Sequence, residues 1–281
     1  MQDRAHLVGT YPLGDLLRHW RTVRGASQLD LSLDTGTSQR QISFIESGRS
    51  VPRRETLMAL ADALDVPLRE RNGLLLAAGY APLFPEIPWD DDAMRAVTRA
   101  LRRMLEQQLP YPGIVMDRYW NVLDANAATT RLFGSFVDLA ARRQSRNMLH
   151  LLFDPSGLRQ HVDDWPTVAK SFLQRIGREA VGRIKDQEME QLTQTLLAYP
   201  GVDNDWIKPS PSASSLPVIP IGLRHNDGVL RYFSLVATVG TPLTVAAEEI
   251  RVELMFPADD WTDAQHLRLV GDVAKTTGQG T

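Results

Sequence analysis

The chain has 281 residues, 43% of them apolar and 23% charged, the balance of a soluble globular protein and enough for about two domains at ~150 residues each. It contains no cysteine, which excludes disulfide scaffolds, thiolate zinc sites, iron–sulfur clusters and cysteine nucleophiles. No signal-peptide core and no apolar run near the ~18 residues of a membrane span is found, so a soluble, cytoplasmic protein with no membrane partner is expected.

Net charge is −3, but it is unevenly spread. Between Arg18 and Arg54 seven arginines stand against three acids. A basic stretch in an otherwise acidic chain points to a polyanionic partner.

Residues 13 to 78 read as five short helices. Leu13, Leu16, Leu17, Trp20 and Val23 recur at helical spacing, and Gly25 ends the run. Ser27 is an N-cap for a helix from Gln28 to Thr35, with Asp30 at its third position and Gly36 as its stop. Ser38 opens the next helix, and Gln41 completes a Ser-x-x-Gln capping box. A fourth helix is expected over 55–64 and a fifth from Pro67 to near Gly79. Two short helices joined by a tight glycine turn, at 28–35 and 38–47, form a helix-turn-helix. Such a motif lays its second helix in the major groove, N-terminal residues toward base edges. Here those residues are Ser38, Gln39, Arg40, Gln41 and Ser43, and Gln and Arg match adenine and guanine edges bidentately. Gln28, Arg49 and Arg53 are placed to hold phosphates.

Residues 13–82 resemble the Xre/Cro-type helix-turn-helix family, which includes lambda-type repressors. The match rests on Gln28, on Ile42-Ser43-x-Ile45-Glu46-x-Gly48-Arg49 and on Pro52. It departs at Ser32, where the family usually has alanine. The resemblance implies an all-α five-helix DNA-binding domain over 1–80, acting as a homodimer on double-stranded operator DNA.

Pro82, Pro85 and Pro88 fall three apart, the period of polyproline II, and predict a semi-rigid linker over 81–92. Asp90-Asp91-Asp92 follows, with Asp92 expected to cap a helix over 93–109 rather than bind metal. Strands are predicted at 114–116 and 119–123 and a short helix ending near Phe133. Trp165, Val168, Ala169, Phe172, Leu173 and Ile176 follow the helical template, and a further helix spans Met189 to Leu197. Residues 201–217 read as an exposed loop. Three strands close the chain: one around Ile219–Leu223 with Pro220 at an edge, one through Phe233–Val239, and one at 250–256. Asn226-Asp227-Gly228 is a hairpin turn signal. The whole is α+β, a helical domain followed by a domain with an antiparallel sheet, with a disordered tail over 266–281.

Residues 110–262 resemble the ligand-binding domain of MmyB-like transcription regulators, through PYPGIVMDRYWNVLDANAATTRLF, LLFDPSGLRQHVDDW, LAYPGV, VATVGTP and RVELMFPADDWT. The resemblance implies a PAS-like fold over 93–265 and a pocket for a small apolar ligand such as a fatty acid. Met116, Trp120, Phe133, Trp165, Phe172, Phe233 and Met255 are the residues expected to line it, with Arg231 as anchor for a carboxylate. The same side chains also suit a solid core, in which case the domain is a dimerisation or protein-interaction module. No nucleotide loop, nucleophile elbow or metalloprotease motif occurs, and the six histidines are scattered. A non-enzymatic protein without cofactor or metal is therefore expected, an autoregulated enzyme domain being the weaker alternative.

Overall fold

The computed structural model describes residues 11–142, 146–180, 186–208, 221–226 and 228–271. The chain divides into two units. The first runs to Ile87 and also takes in Thr241–Glu248.

Among the described residues up to Ile87, the first unit has the helices α1 (Leu13–Val23), α2 (Gln28–Thr35), α3 (Gln39–Glu46), α4 (Arg54–Ala63) and α5 (Leu68–Ala77). Their ends are set locally. Ser27 Oγ accepts from the Asp30 amide while the Asp30 carboxylate accepts from the Ser27 amide, a complete capping box at α2. Gly36 closes α2 at φ 68°, a conformation that penalises any residue with a Cβ. Ser38 Oγ accepts from the Gln41 amide and starts α3. Leu17, Trp20, Leu31, Ile42, Ile45, Leu57, Leu60 and Leu74 form the core. Gly14 lets α1 sit against the end of α3, since a Cβ there would fall 2.4 Å from the Glu46 carbonyl oxygen.

The segment expected as a semi-rigid linker is tied to α5 at its N-terminal end. Asn72 of α5 accepts from the amides of Leu83 and Phe84 and donates to the Phe84 carbonyl, at 3.0, 3.0 and 2.6 Å. Asp91, not Asp92, is the cap that follows. Its carboxylate accepts from the Ala93 amide and opens a 3₁₀ turn ahead of the next helix.

The second unit contains α6 (Arg95–Gln107), β1 (Gly113–Met116), β2 (Val122–Ala125), α7 (Ala127–Gly134), α8 (Met148–Phe153), β3 (Val162–Asp163), α9 (Trp165–Ala180) and α10 (Gln187–Leu197). After these come β4 (Ile221–His225), β5 (Gly228–Ala237), β6 (Arg251–Pro257) and α12 (Asp260–Val270), while the short α11 (Val245–Glu249) between β5 and β6 falls in the first unit up to Glu248. The strands make one antiparallel sheet in the order β2-β1-β6-β5-β4-β3. The last strand in sequence lies between the first and the fifth, so the two ends of the unit are joined through the sheet. Helices α6 and α7 pack on β1, and α12 packs on β5 and β6.

Three further expectations need correction. The second strand does not begin at Tyr119, because residues 117–120 form a tight turn with Trp120 at φ 68°. Asp117 fixes that turn by accepting from the amides of Tyr119 and Asn121. The tail does not begin at 266. His266 and Val270 are buried in α12, which spans the proposed boundary. The strand through Phe233 starts earlier, at Gly228 directly after the hairpin turn. The expectations for Ile219, Pro220 and Asp227, most of the exposed loop beyond Lys208, and the tail beyond Gly271 lie outside the described residues.

Candidate nucleic-acid interface and ligand cavity

In the first unit α3 presents Gln39, Arg40 and Gln41 to solvent at its N-terminus. Ser38 caps the helix with its hydroxyl, and Ser43 is half-buried. The Arg40 guanidinium lies 5.3 Å from the Phe44 ring centre and that of Arg49 lies 5.8 Å from it. Phe44 thus carries two arginines whose charges form no ion pair among the described residues. Arg53, at the N-terminus of α4, is exposed as well.

Not all the arginines of this window are available. Arg21 meets the buried Glu46 carboxylate two-on-two, at 2.6 and 2.9 Å, and Arg18 adds a bond to the Glu46 carbonyl at 2.7 Å. Arg24 is held by Asp65 and the Leu64 carbonyl. The Gln28 amide also donates to Glu46, at 2.9 Å. Burial alone would push the Glu46 carboxyl up. The bonds from Arg21 and Gln28 and the charges of Arg21 and Arg18 outweigh it and hold the group below its usual range. The basic surface therefore reduces to Arg40, Arg49, Arg53 and Arg54, grouped around α3 and the start of α4.

The second unit holds a partly open cavity of about 250 Å³ between the sheet and α9. Its apolar wall includes Ile114, Trp120, Phe133, Leu149, Leu152, Val168, Phe172, Phe233 and Met255. Trp120 and Phe172 meet edge-to-face at 5.4 Å. Its polar lining is Ser171, Arg175, Ser234 and Glu253. Arg175 donates to Glu253 at 3.0 Å and lies 4.6 Å from the Trp120 ring centre. The Trp120 indole N–H is buried without an acceptor among the described residues.

Residues 97–269 match the family model described as the MmyB-like transcription regulator ligand binding domain, well over half of the chain. The chain belongs to the MmyB-like transcription regulators. Residues 12–74 match a helix-turn-helix domain. The uncharacterized HTH-type transcriptional regulator RghRB of Bacillus subtilis (strain 168) is 38% identical over 76 residues, 27% of this chain and 52% of that protein. The chain thus spans about half the length of this curated relative.

Within this MmyB-like chain, the residues expected at the pocket divide. Trp120, Phe133, Phe172, Phe233 and Met255 lie in the cavity wall. Met116 is buried in the core outside that wall. Trp165 packs instead on Phe153 and Trp206 and donates its indole N–H to the Leu152 carbonyl. Arg231 is exposed and outside the lining, so it is no anchor. The charged group at the cavity is Arg175. It lies three residues beyond Phe172 on the same helical stripe, the one signal in the sequence that places it there. Its partner Glu253 occupies a strand parity that reads as solvent-facing. Among the described residues no cluster of three or more His, Asp or Glu is arranged to hold a metal, and no helix is long and apolar enough to cross a membrane.

Proposed function

We propose that the protein is a sequence-specific regulator of transcription that binds double-stranded operator DNA through α3 and senses a small ligand in the second unit. The exposed Gln39-Arg40-Gln41 row, beside a group of arginines without carboxylate partners, carries the first half of this reading. Arg40 and the two glutamines read base edges, with Ser43 behind them, while Gln28, Arg49 and Arg53 hold phosphates. Ser38 supports them by fixing the start of α3. One such helix covers one half-site, so a homodimer on a two-fold operator is the reading that fits.

The cavity supports the second half. It exceeds the ~150 Å³ apolar cavity that suffices for benzene. An apolar wall with a few polar groups on one side is the form of a small-ligand site. The Arg175 guanidinium and the unpaired Trp120 N–H suit the carboxylate of an acyl chain, so a fatty acid is the ligand class we favour. A ligand shifts DNA affinity only if it binds one state of the protein better than another. A coupling of ~1–3 kcal/mol corresponds to a change of about 5- to 150-fold.

The test has two arms. Selection from a random duplex library, with the mass of the complex measured in solution, should return a two-fold site and two chains. Denaturation, solvent extraction and mass spectrometry, followed by reloading of the stripped protein with a graded series of fatty acids, should return a stoichiometric acyl chain and raised thermal stability. An unchanged melting temperature throughout the series would favour a second reading, in which this unit is a protein-interaction module. The adjacent exposed Leu235 and Val236 on β5 favour that alternative.

A further inference from the structure

The connection between β5 and β6 has an unusual allegiance. β5 brings Phe233 and Ser234 to the cavity, and β6 brings Glu253 and Met255. The residues between them, Thr241–Glu248, fold with the first unit. Within that unit the Val245 amide donates to the Pro85 carbonyl at 3.1 Å. The Glu248 carboxylate accepts from the Leu68 amide at 2.8 Å. Leu68 is the first residue of α5, and Pro67 before it has no side-chain cap to offer. Glu248 therefore supplies, from 180 residues away, the acceptor that a helix start requires and the negative charge it favours.

The next residue, Glu249, is held quite differently. Its carboxylate accepts from Arg118 Nη1 at 2.7 Å. Arg118 lies in the turn before Trp120, is 2% exposed, and also pairs with Asp186 at the head of α10. Its Nε has no acceptor among the described residues, and its guanidinium lies 5.1 Å from the Tyr119 ring centre. A buried arginine with one donor unsatisfied is costly, and a merely structural site would be served as well by an apolar side chain.

We infer that residues 241–249 are a regulatory strap. Arg118, two residues from the cavity wall at Trp120, fixes its far end, and Glu248 transmits its position to the N-terminus of α5. Movement of the Asp117–Trp120 turn or of the two cavity strands then acts on the capping of α5, a helix that packs against α1 and α4. Two discrete arrangements of a capped or released helix start provide the two-state element that coupling requires. The strap stands on its own contacts and does not depend on which ligand occupies the cavity.

Hydrogen exchange on the full-length protein without ligand tests it. The variants are Glu248→Ala, Arg118→Met and the double variant. Each single change should speed exchange in a peptide spanning 66–72 by about tenfold, the loss of one charge-assisted hydrogen bond. Peptides over β1 and β6 should keep their protection. Because both residues act on one contact, the double variant should exchange no faster than Glu248→Ala alone. Wild-type exchange at 66–72 in Arg118→Met, or multiplying effects in the double variant, would overturn the proposal. If Arg118→Met does not fold, Glu249→Gln takes its place. It leaves the Asp186 pair intact and should release 66–72 by itself, and no release would count equally against the strap.

Discussion

Glu46, at the end of α3, and Arg21, on α1, share a two-bond ion pair with the carboxylate side chain 1% exposed. Gln28 of α2 donates to the same carboxylate, so one acid ties the two helices of the motif to each other and to α1. Removal of the acid leaves a partly buried guanidinium without its partner, which costs about 3–5 kcal/mol. Glu46→Ala should therefore lower the stability of the first unit by that amount in urea unfolding. A loss under 1 kcal/mol would show that solvent replaces the carboxylate. Glu46→Gln keeps the shape and part of the hydrogen bonding and should lose less.

Arg40 stands near the start of the exposed α3 row. Arg40→Ala should weaken binding to the selected operator by about 1–3 kcal/mol and relax base preference at one or two positions. Titration against a panel of single-base operator variants checks this. Uniform weakening on every sequence would move Arg40 to the phosphate-holding group.

Arg53 is the converse case, an exposed arginine at the N-terminus of α4. Arg53→Ala should weaken all sequences alike. It should also reduce the slope of log affinity against log salt by about one unit, the release of one counterion fewer. Binding measured at four or more salt concentrations gives the slope, and an unchanged slope excludes a phosphate contact.

These predictions rest on the part of the molecule that was most legible in the sequence. Ser27, Asp30, Gly36 and Ser38 act on backbone groups within three residues of themselves, so their pattern announces α2 and α3 without knowledge of the fold. The cavity was half legible. Phe172 and Val168 stand on a helical stripe, and Phe233 and Met255 on apolar strand runs, which show burial but not whether a space is left. Glu253 was read as outward because Val252, Leu254 and Phe256 alternate against it. β6 is an inner strand between β1 and β5, and its polar parity faces the cavity, where Glu253 is neutralised by Arg175. Arg118 gives no local signal of its burial. Its carboxylate partners lie 68 and 131 residues away, beyond any local pattern.

Two histidines, His266 buried and His150 half-buried, set the acid side of the stability curve. His266 lies between the Tyr232 hydroxyl, which donates to Nδ1, and the Pro110 carbonyl, which accepts from Nε2, each at 2.9 Å. Burial lowers its pKa below the usual 6.5, and the same cause lowers that of His150. The unfolded chain then takes up these protons first. Stability should be full above about pH 6.5 and fall as pH drops below it. His266→Asn should flatten this slope in denaturation curves taken between pH 7.5 and 5. Glu46, whose pKa is depressed, adds its own loss only below the usual carboxylate value of 4.5, so the two effects separate. A wild-type stability constant from pH 7.5 to 5 would show that neither imidazole stays neutral in the fold.

The Arg175–Glu253 pair makes the proposed ligand class testable by charge. An acyl carboxylate reaching Arg175 must compete with Glu253, 12% exposed and already bonded at 3.0 Å. Removal of Arg175 alone would strand that acid, so the informative variant is Arg175→Met with Glu253→Gln. Wild-type protein should bind a fatty acid at least about tenfold more tightly than the alcohol of the same chain length, one charge-assisted hydrogen bond in a desolvated site. The double variant should bind both alike, with affinity for the alcohol unchanged. Calorimetry on stripped protein measures the four constants. Equal binding of acid and alcohol by the wild type would remove Arg175 as the anchor. Loss of both ligands in the double variant would mean that the ion pair shapes the cavity rather than reads the head group.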